Sequence, residues 1–162
     1  MTLELEITLA EALIERKALK ERLESLEERV TASARVQEGD TPAEDPAELM
    51  AQFDAAASEM EQLIVAINRT NLATPLAGQE GWSLMEAIAR RDMLTLRQEA
   101  ISEIIDASRT TRAHWAVTRS EVRTVATVDV AALQRQMDAL AKERRELDAR
   151  LQAANWTTKL MA

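Results

Sequence analysis

Apolar residues recur in this chain at alternating three- and four-residue steps, in four separate stretches. A stripe with that spacing lies on one face of an α-helix and lets it run along other helices. The first series is Leu9, Ala12, Arg16, Leu19, Leu23, Leu26 and Val30, with Leu13 broadening it. The second is Leu49, Phe53, Ala56, Met60, Leu63 and Ile67, flanked by Met50, Ala57 and Ile64. It is the widest apolar face, so the second helix is expected to be the most buried. The third, Leu84, Ala87, Arg91, Leu94, Gln98, Ile101, Ile105 and Ser108, is weaker and more polar. The last is Val130, Leu133, Met137, Leu140, Arg144, Leu147, Leu151 and Ala154.

Capping chemistry places the helix starts. Thr8 and Glu11 have the spacing of a capping box, as do Ser83 and Glu86. Asp45 precedes Pro46, the residue type favoured at a first helical position, and Glu48 completes a third box. Thr127 or Asp129 caps the last helix. The helices are therefore expected at about 8–32, 46–70, 84–112 and 129–155, in one helical-bundle domain over residues 1–162. Gln37–Asp45 (QEGDTPAED) and Leu72–Trp82 read as loops.

Two stretches break the helical pattern. Val30, Ala32, Ala34 and Val36 alternate, as a short strand or a fraying helix end would. Ser120–Val128 (SEVRTVATV) is rich in β-branched residues and reads as a short strand. The expected fold is mainly α: an up-down four-helix antiparallel bundle with long helices and a short β-strand pair, Ala32–Gln37 with Ser120–Val128, at one end. Thr8, Asn71, Ser83 and Asn155 should share the other end, with Trp82 and Trp156 close by.

Composition agrees with a helical chain. Hydrophobic residues make up 46% and charged ones 30%, with only 3 Gly and 3 Pro among 162 residues. Aromatic content of 2% is too low for an aromatic nucleic-acid platform. The net charge of -8 disfavours wholesale binding to nucleic acid or anionic lipid. The absence of Cys excludes disulfide and thiol chemistry. The opening MTLELEIT is acidic, unlike a signal peptide, and the apolar run Leu63–Ile67 is too short to span a bilayer. The cytoplasm is the expected location.

Two clusters carry candidate chemistry. Three seams are interrupted by one arginine each: Arg16, Arg91 and Arg144. With Glu15, Asp92 and Asp148 they are expected to form a buried ionic layer, since a buried guanidinium needs a carboxylate. An anion or phosphate pocket is the sharper reading of the same layer, with arginine as the bidentate donor. A third reading lets the stems snorkel to solvent, with no layer. The second cluster is Arg109, Arg112, His114, Trp115, Arg119 and Arg123, a candidate anion-binding loop. It should face the acidic loop of Glu38, Asp40, Glu44, Asp45 and Glu48, so pairing between the two is the preferred reading. Metal catalysis has little to stand on: His114 is the only His, and paired Glu-x-x-His motifs are absent. No catalytic residues and no cofactor are expected.

Several segments carry a family resemblance. AEALIERKALKERLESL, RVQEGDTPAEDP, INRTNLAT, AIARRDML and VATVDVAALQRQMDALAKERRELDARLQAANW resemble a family of small bacterial helical proteins, many labelled septicolysin. QEGDTPAEDP and ELDARLQAANW are the most specific parts. The label implies a membrane-damaging cytolysin.

The residues themselves favour a non-enzymatic, self-associating helical protein, a homo-oligomer. Second apolar stripes (Leu13; Met50, Ala57 and Ile64; Met93 and Leu96) exceed what four helices hide. The alternatives are a phosphate- or nucleic-acid-binding module acting through Arg109–Arg123, and the cytolysin that the resemblance implies.

Overall fold

The computed structural model describes residues 7–109 and 125–161. It is mainly α, with four long helices: α1 (Leu9–Ser33), α2 (Pro46–Ala73), α3 (Leu84–Arg109) and α4 (Val130–Thr157). They pack in pairs in the manner of an antiparallel helical bundle. The helix starts fall within a residue of those expected, and α2 runs three residues past its expected end. The caps explain the starts. Thr8 and Glu11 form the full reciprocal box, with the Thr8 amide donating to Glu11 Oε2 at 2.7 Å. Asp45 Oδ1 accepts from the Ala47 amide, and Asp129 Oδ1 accepts from the Ala132 amide, both at 2.9 Å.

The chain divides into two compact units, residues 1–85 with 152–162, and residues 86–151. In the first, α1 and α2 form an antiparallel hairpin. Leu26 from the second half of α1 packs with Leu49 and Ala56 from the first half of α2, and Leu23, Val30 and Phe53 close around them. Leu9, Ala12, Leu19 and Leu26 of the α1 seam are buried. Burying each leucine contributes roughly 1.5–3 kcal/mol.

The expectation that α2 is the most buried helix does not hold. It buries Leu49, Ala56, Ile67 and Thr70, whereas α1 buries Leu9, Ala10, Ala12, Leu19 and Leu26. The apolar face of α2 is wider than the surface its neighbours cover, so Met50 and Val65 remain exposed.

Both chain ends and the α2–α3 loop meet at one end of this unit. Ile7 accepts from the Leu160 amide at 2.8 Å, and Thr158 accepts from the Leu9 amide at 2.9 Å, forming an antiparallel bridge. In the loop, the Leu76 amide donates to Trp82 at 2.7 Å and the Leu84 amide to Thr74 at 2.9 Å. Gly78 and Gly81 sit at φ +75° and +79°, which turns this short loop back. Thr70 ties the ends together. Its side chain is fully buried, its hydroxyl donates to the Ala66 carbonyl at 2.8 Å, and the same oxygen accepts from the Met161 amide at 2.9 Å. Backbone hydrogen bonds thus join the residues ahead of α1 to the tail after α4, and the Thr70 side chain joins that tail to α2.

In the second unit, Ala87, Leu94, Ile101 and Ile105 of α3 are buried, as are Leu147 and Leu151 of α4. The α3 seam, the weaker one by sequence, is well used. Val130, Leu133, Met137 and Leu140 of α4 are only half-buried.

The strand pair is absent among the described residues. Ala32 and Ser33 belong to α1, and residues 34–37 are irregular. Val125–Val128 has no regular structure and is exposed, while residues 120–124 lie outside the described residues. The physical reason is a missing apolar face: Val36 and Val125 are exposed, so alternation gains no burial.

Thr70→Val keeps the side-chain volume and removes the hydroxyl, leaving the Met161 amide without its acceptor. We expect a loss of about 1–3 kcal/mol in urea unfolding. A Thr70→Val protein as stable as the parent would show that the tie carries no weight.

Candidate functional site

The six residues of the expected ionic layer do not form a buried one. Arg16 and Glu15 stand exposed on α1. Arg91 is half-buried, and its Nε and Nη2 donate to Oδ1 of the neighbouring Asp92 at 3.0 and 2.8 Å. That pair is open to solvent, with Asp92 56% exposed. Arg144 and Asp148 are half-buried. A long arginine stem covers apolar surface while its guanidinium reaches out, so Arg16 and Arg91 hold seam positions without a buried ionic layer.

Two features here were not legible beforehand. Arg90, one position off the seam, donates through Nε and Nη2 to Oε1 of Glu143 on α4, at 2.8 and 2.7 Å. This joins α3 and α4 beside the apolar contact. Arg144, within the seam, has an Nε that is buried with no hydrogen-bond partner. A buried donor left unmade is a cost rather than a contribution.

Of the acidic loop, Glu44 pairs within the α1–α2 hairpin, while the basic stretch expected to face the loop lies, Arg109 aside, outside the described residues. Glu44 forms a two-point ion pair with Arg29 of α1, through Nε at 3.0 Å and through Nη2. This pair spans the α1–α2 loop, in which the Asp40 amide donates to Gln37 at 3.0 Å. The hydrogen bond from Arg29 holds the Glu44 carboxyl below the usual carboxylate range, and Glu44 in turn raises Arg29. Glu11 is likewise lowered, first by the Thr8 amide and then by its hydroxyl. Of the candidate anion-binding loop, Arg109 closes α3 in an exposed position. Arg112, His114, Trp115, Arg119 and Arg123 lie outside the described residues. No cluster of three or more His, Cys, Asp or Glu able to hold a metal occurs among the described residues. No described helix is long and apolar enough to cross a membrane.

What remains is an apolar face turned outward. On α3, Met93, Leu96 and Ile104 are exposed at 44–56%. Ala89, Ala100 and Ala107 are exposed at the same helical spacing. Met93 and Leu96 stood out as a second stripe by sequence. The alanines did not, because alanine suits any helix surface and only the fold assigns it a face.

Residues 3–160 match a family of unknown function, DUF6847. The chain belongs to that family. It is also similar to a crystal structure of a functionally unknown conserved protein from Corynebacterium diphtheriae, with a TM-score of 0.86 and 35% identity, over 96% of this chain and 99% of that one. No curated protein matches. The expected membership of a helical family is therefore met, under a description that carries no toxin label.

Two outcomes follow. Glu44 should titrate below an ordinary glutamate by NMR, and Arg29→Gln should return it to the usual range. Because the folded value is depressed, the pair's stabilisation is present above the unfolded pKa and is lost as pH falls through the folded one; unchanged titration in Arg29→Gln would count against the pair. Separately, Arg144→Met should leave stability unchanged or raise it by on the order of 1 kcal/mol, since it removes a buried unpaired donor. A clear loss would mean that Arg144 has a partner after all.

Proposed function

We propose that this DUF6847 protein is a non-enzymatic helical protein that acts through self-association. The observation that carries the reading is apolar surface left in solvent on regular helices. Ile14, Met50, Val65, Leu72, Met93, Leu96 and Ile104 are each more than 40% exposed, although all lie on α1, α2 or α3. Single exposed apolar residues are ordinary, but several at helical spacing on one helix mark a surface that meets another protein. Such a surface is what a self-associating bundle needs, and a second copy of the same chain is the partner always at hand.

The chemistry of the described residues supports the same reading. The polar groups that come together do so in exposed pairs, Arg29 with Glu44, Arg90 with Glu143 and Arg91 with Asp92. In each of these three pairs the guanidinium is met by a carboxylate, which supports a structural role for these charges.

Size-exclusion chromatography with light scattering at micromolar protein should give a discrete species above the 18.1 kDa of one chain. The mass should fall toward one chain on dilution. A clean monomer throughout the micromolar range would end this proposal.

A further inference from the structure

The outward face of α3 carries a repeat. Its apolar positions are Ala89, Met93, Leu96, Ala100, Ile104 and Ala107, and every one is exposed. The steps are four, three, four, four and three, so each of the first three residues recurs eleven positions later: Ala89 and Ala100, Met93 and Ile104, Leu96 and Ala107. An eleven-residue repeat makes about 3.67 residues per turn, close to the 3.6 of a straight helix. The row therefore stays on one face for its whole length, roughly 27 Å at 1.5 Å per residue. It lies away from the buried series of Ala87, Leu94, Ile101 and Ile105. A helix that has already buried one seam and presents a second, unbroken one is built to touch two neighbours.

The charges beside the row indicate what that second neighbour is. Asp92, Glu99 and Glu103 each stand one position before a row residue. Arg90 and Arg97 each stand one position after. Residues one before and one after a helix position lie on opposite sides of it, so the row has an acidic flank and a basic flank. Two copies laid side by side in parallel bring the acidic flank of one against the basic flank of the other. Laid antiparallel, they bring acid against acid, in a protein whose net charge is already -8. In the parallel arrangement Asp92 of one copy faces Arg97 of the next, at the five-residue offset by which flanking charges meet across paired parallel helices. Symmetry makes that contact twice.

We infer that the α3 row is the contact between two copies of this chain, paired in parallel about a two-fold axis, with Met93, Leu96, Ala100 and Ile104 at its centre. The inference rests on the proposed self-association and adds the surface, the occupant and the orientation.

The absence of Cys makes the orientation directly testable. In the full-length protein, Met93→Cys places a single thiol in the row. A parallel pair brings the two thiols to the same height, where a disulfide requires Cα atoms about 4.4–6.8 Å apart. Mild oxidation should then give a covalent dimer in high yield, with the mass of the unmodified association state. In an antiparallel pair centred on the row, the two introduced thiols would be separated by roughly 15 Å along the axis, beyond that reach. Cross-linking only when Met93→Cys protein is mixed with Ile104→Cys protein would overturn the parallel arrangement. Leu96→Glu should shift the protein to a monomer while its circular dichroism stays helical, because the position is exposed and folding does not need it. Arg97→Glu should weaken association roughly threefold to tenfold, and Asp92→Arg with Arg97→Asp should restore it.

The failures are separable. If the parent associates but Leu96→Glu leaves the mass unchanged and Met93→Cys does not cross-link, the α3 row is not the interface and self-association stands through another face. If the parent is monomeric, both the inference and the proposed function fall.

Discussion

A buried hydroxyl holds together the end at which the residues just ahead of α1 meet those just after α4. Thr70 sits near the close of α2, where a helix normally leaves its last carbonyls unpaired. Its oxygen donates back to Ala66 and accepts from Met161, so one atom anchors the C-terminal tail to α2. The tail then pairs with the residues ahead of α1, through Thr158 with Leu9 and Leu160 with Ile7. The start of α1, the close of α2 and the tail after α4 are thereby fixed to one another by directional bonds, which hydrophobic burial alone cannot supply.

The distribution of charge follows from what apolar packing leaves over. Where leucines and alanines meet at seam positions, charged side chains are carried to the rim and pair there. Arg90 with Glu143 and Arg29 with Glu44 join separate elements beside their apolar contacts, in positions open enough that solvent limits what each contributes. Arg144 is the exception, a seam residue whose Nε is enclosed without a partner. These groups set pairing and register more than they add stability.

Much of the fold was legible in the residues. The four seams, the capping box of Thr8 and Glu11, and the caps at Asp45 and Asp129 are local features, and local hydrogen-bond geometry is written in neighbouring residues. Burial at Leu9, Ala12, Leu19 and Leu26 follows directly from their spacing. The exposed face of α3 was only half visible. Met93 and Leu96 declare themselves because large apolar residues off the main seam are conspicuous, whereas Ala89, Ala100 and Ala107 do not. At Ala32–Gln37 the period-two pattern did not make a strand, because alternation signals a strand only when one face has something to bury.

By itself, then, the sequence determined helix number, helix starts, the face each helix turns inward and the acidic, cysteine-free character of the chain. Each of these depends on residues within a turn or two of one another. Tertiary structure decided the rest: that Arg16 stands in solvent while Arg144 encloses its Nε, that Glu44 takes Arg29, that Thr70 receives the tail, and which apolar stripe is left over. Those outcomes depend on which surfaces arrive opposite one another, and residues 91 positions apart, such as Thr70 and Met161, carry no local sign that they will meet.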